Sequence, residues 1–307
     1  MRQAAYRVAL IVATGLAADH AQSQPPGEQR WFLRTDIQGL VGQYSGSTAR
    51  DSLANLGAFV HADYFERGGF TIGYNGTALG FNDGSEDVDQ DNLFLSGRIA
   101  FTPDALDGRI TLRFDVYDTG NNAADVSDSV SAGAARVSYL SFGERFYWDV
   151  GFTRSDYGRD TTSGEPVELD QLTPTLGFAL NQQRDWLQLR AYLIRPSHPI
   201  GQSMQDSTSA IELKWTHWLP PNGFLGLESL RFSALGGERL FAVDQDAATI
   251  YNLSELQTGG LSFGGEWDIG ERSSVMVIAG VENYENPDLA SRYRSPYLYL
   301  NFSREWN

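Results

Sequence analysis

Cysteine is absent from the 307 residues, so no disulfide, thiolate metal site or cysteine nucleophile is available. Basic side chains are scarce as well: 23 Lys and Arg against 39 Asp and Glu leave a formal charge of −16, which argues against nucleic acid as a partner. Long apolar runs are missing. At a mean hydropathy of −0.33 the chain cannot supply several spans of roughly 20 apolar residues, which excludes a multi-helix membrane protein. No metal and no cofactor is expected. What is plentiful is glycine, with 32 residues, and aromatic side chains, at 12%.

The N-terminus reads as a leader. Arg2 and Arg7 flank a short basic start, residues 8–18 are apolar, and Ala21-Gln22-Ser23 offers small residues at cleavage spacing. A membrane anchor is the alternative, but the run is too short to cross a bilayer as a helix, and Gln24-Pro25-Pro26-Gly27 breaks any continuation. The expected organisation is a signal peptide over 1–23, a short periplasmic segment over 24–30, and one strand-rich domain over 31–307.

From Trp31 onward the pattern has period two. Trp31, Leu33, Thr35, Ile37, Gly39 and Val41 share one face, opposite Arg34, Asp36 and Gln38. Ile110, Leu112, Phe114 and Val116 oppose Thr111, Arg113 and Asp115 in the same way. Fourteen such segments are expected, at 31–44, 53–66, 69–81, 92–102, 109–119, 130–142, 145–157, 169–181, 185–196, 207–218, 228–242, 256–269, 272–284 and 293–306. Pro174 falls inside the eighth, where its missing N–H suits a bulge or the end of pairing. Most segments exceed the usual five or six residues of globular strands and approach the ~9–11 tilted residues that span a bilayer.

Connections alternate in length. Glu66-Arg67-Gly68-Gly69, Gly143-Glu144-Arg145, Gln182-Gln183-Arg184 and Gly270-Glu271 are tight, whereas 82–91, 120–129, 158–168, 196–207 and 244–255 are longer and polar. The link from Leu219 to Leu227 is an exception on the short side. Trp31, Trp148 and Trp186 begin odd segments while Trp215, Trp218, Trp267 and Trp306 end even ones, which places all seven at one rim as a membrane-interface girdle. A secreted soluble sandwich or propeller competes with this reading. Its Trp would be scattered along the strands, and long open edges would invite aggregation. The lipid side also lacks Lys and Arg near the segment middles; Arg154 and Asp118 sit toward the loop end, where a charge costs little.

These features together resemble the outer-membrane β-barrels of Gram-negative bacteria, with a size and strand count similar to the fourteen-stranded porins. The resemblance implies an all-β, antiparallel, up-and-down transmembrane barrel with short periplasmic turns and longer extracellular loops, located in the outer membrane. The final segment, with Leu298, Leu300, Phe302 and Trp306 alternating, resembles the signal read by the barrel-assembly machinery. It departs in Arg304, which interrupts the apolar face, and in Asn307 after the last aromatic.

The polar faces supply Arg34, Asp36, His61, Asp63, Arg98, Arg113, Asp115, Arg136, Asp149, Arg190, Glu212, Lys214, Arg231, Glu266, Asp268 and Glu282 as lumen-lining candidates. A barrel of this size encloses a water-filled lumen unless loops fold in. Asp83, Glu86, Asp87, Asp89 and Asp91, with Asp125 and Asp128, make the outward loops acidic. Such a rim either stays solvated or holds divalent ions that bridge lipopolysaccharide phosphates, and its spacing is not that of an EF-hand.

An enzymatic reading rests on His61, His198 and His217, the imidazoles outside the leader. None begins the His-x-Ser arrangement of outer-membrane phospholipases. Asp87-Val88-Asp89 is faintly similar to the paired aspartates of the omptin proteases but lacks their Asp-x-His partner. The expected function is therefore a channel for small hydrophilic solutes or ions with a weak cation preference, surrounded by lipid and lipopolysaccharide. The alternative is a conduit exporting a polysaccharide or a surface lipoprotein delivered by periplasmic partners, and an outer-membrane enzyme is the minor one.

Overall fold

A computed structural model describes residues 31–64, 67–122, 129–159, 164–197, 206–220, 226–250, 255–286 and 291–306. The expected leader and the 24–30 segment lie outside them, as do Asp125, Asp128 and His198. The long strands are β1 (Trp31–Gln43), β2 (Arg50–Tyr64), β3 (Gly68–Phe81), β4 (Val88–Phe101), β5 (Gly108–Asn121), β6 (Ser129–Ser141), β7 (Phe146–Arg159), β8 (Pro166–Leu180), β9 (Asp185–Pro196), β10 (Thr208–Trp218), β11 (Leu227–Arg239), β14 (Leu256–Gly270), β15 (Ser273–Asn286) and β16 (Ser291–Glu305). Each pairs antiparallel with its neighbours in the chain, and β1 pairs with β16, so the fourteen close into a barrel. Two short strands, β12 (Val243–Asp244) and β13 (Thr249–Ile250), form a separate hairpin within the link from β11 to β14.

The wall is hydrophobic on the outside. On β5, Phe114 and Val116 are 59% and 56% exposed while Asp115 between them is 2% exposed. The same inversion recurs at Leu93, Leu95, Phe152, Leu193, Ile211, Leu261 and Phe263, all exposed, next to buried Asn92, Ser96, Thr153, Tyr192 and Ala210. A soluble sheet would bury the first set; a lipid-solvated barrel exposes it. The pleat and the pairing register therefore put every even residue of β1 and every odd residue of β5 on the inner face.

Three expectations change. Pro174 lies within β8 and pairs with Val150 of β7, but on the β9 side the ladder stops at Leu172↔Leu193 and resumes at Thr175↔Arg190 without a shift. The proline removes hydrogen bonding locally and makes no bulge. The eleventh strand ends at Arg239, not 242, because Leu240, Phe241 and Ala242 leave the wall and turn inward, where they are buried. The 244–255 link is accordingly not an outer loop: its described residues enter the barrel.

Candidate functional site

The inserted segment, Leu240 to Ile250 with Glu255 and Leu256, fills part of the lumen from the long-loop end. Its apolar residues Leu240, Phe241, Ala242, Val243 and Ile250 pack on inner-face Phe59, Phe94, Tyr117, Val130, Val167, Leu169 and Ile194. The ring of Phe241 lies 4.7 Å from that of Tyr157, whose hydroxyl donates to the Phe241 carbonyl. Phe241 and Ala248 both hold positive φ, of 50° each, a cost that the surrounding packing offsets.

Below this apolar part, polar contacts pin the segment to the wall formed by β5 to β10. Gln171 of β8 and Val243 exchange two hydrogen bonds, the side-chain amide donating to the carbonyl at 2.7 Å and its oxygen accepting from the N–H at 2.9 Å. Arg113 donates to the Gln245 carbonyl at 2.8 Å and Arg136 to its side-chain oxygen at 2.7 Å. Asp246 then bridges Arg136 and Arg190, each at 2.7 Å, with Lys214 at 3.9 Å. Burial by itself would raise the Asp246 pKa, but Arg190, Arg136 and Lys214 outweigh it and hold the carboxyl far below its usual range. Gly151 leaves room for this: a Cβ there would stand 2.5 Å from the Thr173 hydroxyl and 2.8 Å from Gln245 Oε1. Since Arg190 is the sixth residue of the twelve in β9, the hairpin reaches mid-height.

All sixteen lumen candidates lie on the inner face by strand parity, and the structure sorts them into groups. Asp36 meets His61 Nε2 at 2.7 Å and Arg34 at 3.2 Å, while His61 Nδ1 lies 2.9 Å from the Thr71 hydroxyl, tying β1, β2 and β3. Arg98 pairs with Asp63 at 2.6 Å, Arg113 with Asp115 at 2.8 Å and Arg231 with Glu266 at 2.5 Å. Asp149 accepts from Tyr147 at 2.7 Å and stands 4.0 Å from Arg136. Glu212 accepts from Tyr192 at 2.9 Å, with Lys214 at 3.3 Å, and Glu282 accepts from Tyr284 at 2.5 Å. Asp268, near the short-turn rim, is exposed.

Among the described residues two open spaces stand out. One, of about 460 Å³, lies between the hairpin and the opposite wall of β14 to β3; Gln38, Asn55, Thr77, Ser233, Tyr297 and Tyr299 line it, together with Glu212, Glu282, Asp244, Asp246, Lys214 and Arg231. The other, of about 680 Å³, opens below the hairpin toward the short turns, with Tyr147, Trp186, Gln188, Arg190, Trp218 and Asp246 around it. At the long-loop mouth Arg50 and Glu255, both buried, form a two-pronged pair at 2.9 and 2.5 Å above Tyr44, Tyr284 and Tyr293.

The tryptophans divide. Trp31, Trp148, Trp215, Trp267 and Trp306 share the outward face at the short-turn rim, where Trp306 Nε1 donates to Thr35 at 3.0 Å and Arg304 stacks on its ring. Trp186 and Trp218 are a correction: they share parity with Arg190 and Glu212 and line the lower cavity. Asp244, Gln245 and Asp246 were not among the candidates. The apolar run 240–243 inside a supposedly solvated link is the feature that points to them.

Of the acidic loop residues, Asp83 accepts from the Ser85 N–H at 2.9 Å, and this hydrogen bond lowers its pKa. Asp89 and Asp91 belong to β4. Among the described residues no group of three His, Cys, Asp or Glu is placed to hold a metal ion. His217, on the outer face, sits 2.7 Å from Asp185.

This geometry defines a closed, up-and-down, antiparallel barrel of fourteen strands. The fold is similar to CymD, a monoaromatic hydrocarbon channel, with a TM-score of 0.56 and 8% identity over 91% of this chain and 89% of that one. It is similar to the Pseudomonas putida toluene transporter TodX, with a TM-score of 0.53 and 9% identity over 90% and 89%. A bacterial polysaccharide outer membrane secretin gives a TM-score of 0.54 at 12% identity over 90% and 98%. No family model and no curated protein matches the chain.

Proposed function

We propose that the protein is an outer-membrane channel through which small hydrophilic solutes or ions diffuse, its bore set by the inserted hairpin. The observation that carries this is the hairpin itself: it is fixed to one side of the lumen at mid-height and leaves a space of about 460 Å³ on the other. That volume lies within the range of roughly 300–1,000 Å³ typical of small-molecule sites. In this reading the short turns face the periplasm and the acidic loops face lipopolysaccharide. The leader over 1–23 delivers the chain to the barrel-assembly machinery. A weak preference for cations is supported by Glu212, Asp244 and Glu282 against Lys214 and Arg231 around the passage, Asp246 being matched by Arg136 and Arg190. We read the Asp36–His61–Thr71 line as a tie between strands, since His61 pairs in register with Arg34 and Thr71 and its ring stacks near Phe59.

The test is reconstitution of the refolded barrel into planar bilayers. Stepwise conductance with a small cation-selective reversal potential in a KCl gradient is expected. A folded, heat-modifiable barrel that gives no steps overturns the channel.

A further inference from the structure

We infer that the cavity below the hairpin is a binding site for a saccharide, presented by Trp186 and Trp218. This deepens the channel reading, on which it rests for the solute's direction of approach, by naming a class of solute. An indole at a membrane rim ordinarily faces the headgroups, yet these two face away from lipid into a space of about 680 Å³. Trp186 pairs in register with Thr216, so Trp218 is its diagonal neighbour on the adjacent strand, a separation of roughly 7–8 Å that aromatic side chains bridge.

The platform is built before any ligand arrives. Gly177 has no side chain where one would collide with the Trp186 ring, at 2.6 Å from Cζ2. Tyr147 stands edge-on to Trp186 at 6.4 Å, and its hydroxyl is fixed by Asp149. The β8–β9 turn holds Asn181, Gln182 and Gln183 at successive positive φ values of 49°, 57° and 68°, and the Gln183 amide is tied across to the Gly143 carbonyl. Such local strain is characteristic of functional sites.

Around the rings stand Gln183, Gln188, Glu144 and Arg190, which supply donors and acceptors together. A hydrocarbon would strip water from these polar groups and offer no hydrogen bond in return, at a cost. A simple anion would have to compete with Asp246 for Arg190. A pyranose has what the cavity asks for: a C–H face that lies on an indole and a rim of hydroxyls that both donate and accept.

The test uses the refolded full chain in detergent with maltohexaose, cellohexaose and chitohexaose, read by isothermal titration. Saturable binding of at least one is expected. Trp218→Ala and Trp186→Ala should each weaken it about tenfold, the size of one aromatic contact, and Trp218→Phe should restore most of it. Trp218 lies at a strand end, so its variants keep the test open if Trp186→Ala misfolds. A folded barrel that binds none of the three overturns the proposal, as does equal binding by the Trp218→Ala protein or displacement of the sugar by toluene at low concentration. Sugar binding by a barrel without conductance would support this site and remove the channel reading instead.

Discussion

Arg190 of the barrel wall and Asp246 of the inserted hairpin meet at 2.7 Å, and the same carboxylate reaches Arg136 at an equal distance. One side chain thus locks the hairpin to two strands that are not neighbours, β6 and β9.

Asp246→Asn should loosen that lock. Hydrogen bonds to charged groups contribute about 1.5–3 kcal/mol each, less here because the carboxylate is 38% exposed. Single-channel recordings should show larger mean conductance and more flicker than wild type. Traces indistinguishable from wild type would mean that the apolar contacts alone hold the hairpin.

Acidification should leave the lock in place. Because the folded Asp246 pKa is depressed, its contribution is fully present above the ordinary carboxylate pKa of about 3.9 and is lost only as pH falls through the much lower folded value. Between pH 7 and 5 the docked state should persist. A reversible opening in that window, seen as a rise in conductance beyond the change of the bulk electrolyte, would contradict the assignment.

Gly151→Val should displace the hairpin from the side of the wall. The new side chain must push Thr173 or Gln245 aside, and overpacking of this kind costs about 1–3 kcal/mol. The barrel should still shift on gels when heated, but with a raised conductance; a normal conductance would show that Gln245 is not a fixed contact.

Arg50→Met should destabilise the long-loop mouth by about 3–5 kcal/mol, since it strands a buried Glu255. The double variant Arg50→Met, Glu255→Leu should recover a large part of this. Urea unfolding followed by tryptophan fluorescence measures both, and a double variant no better than the single one would remove the pair from the argument.

Most of the wall was legible because lipid on one side and water on the other impose period two on every strand. Even so, β11 was read to 242, since Leu240 and Ala242 continue its alternation; only their partners inside the barrel reveal that they leave it. Phe59, Phe94 and Tyr117 sit on faces that are otherwise polar, and their role as a seat for the hairpin depends on residues far along the chain. Trp186 was placed at the correct rim but on the wrong face. Its parity with Arg190, itself a lumen candidate, was in the sequence and contains the answer. The Asp246 bridge was hidden for a different reason: an acidic residue in a polar link looks solvated until its basic partners are found, and Arg136 and Arg190 lie far away in sequence.

The seam between β1 and β16 joins Arg34 to Glu305 and Gly42 to Tyr297. β1 completes its ladder only with β16, far along the chain, so the wall has two open edges until these strands meet. Until the two meet, each presents a row of unpaired backbone groups, so closure of the ring is the step that removes the last template for pairing with another chain.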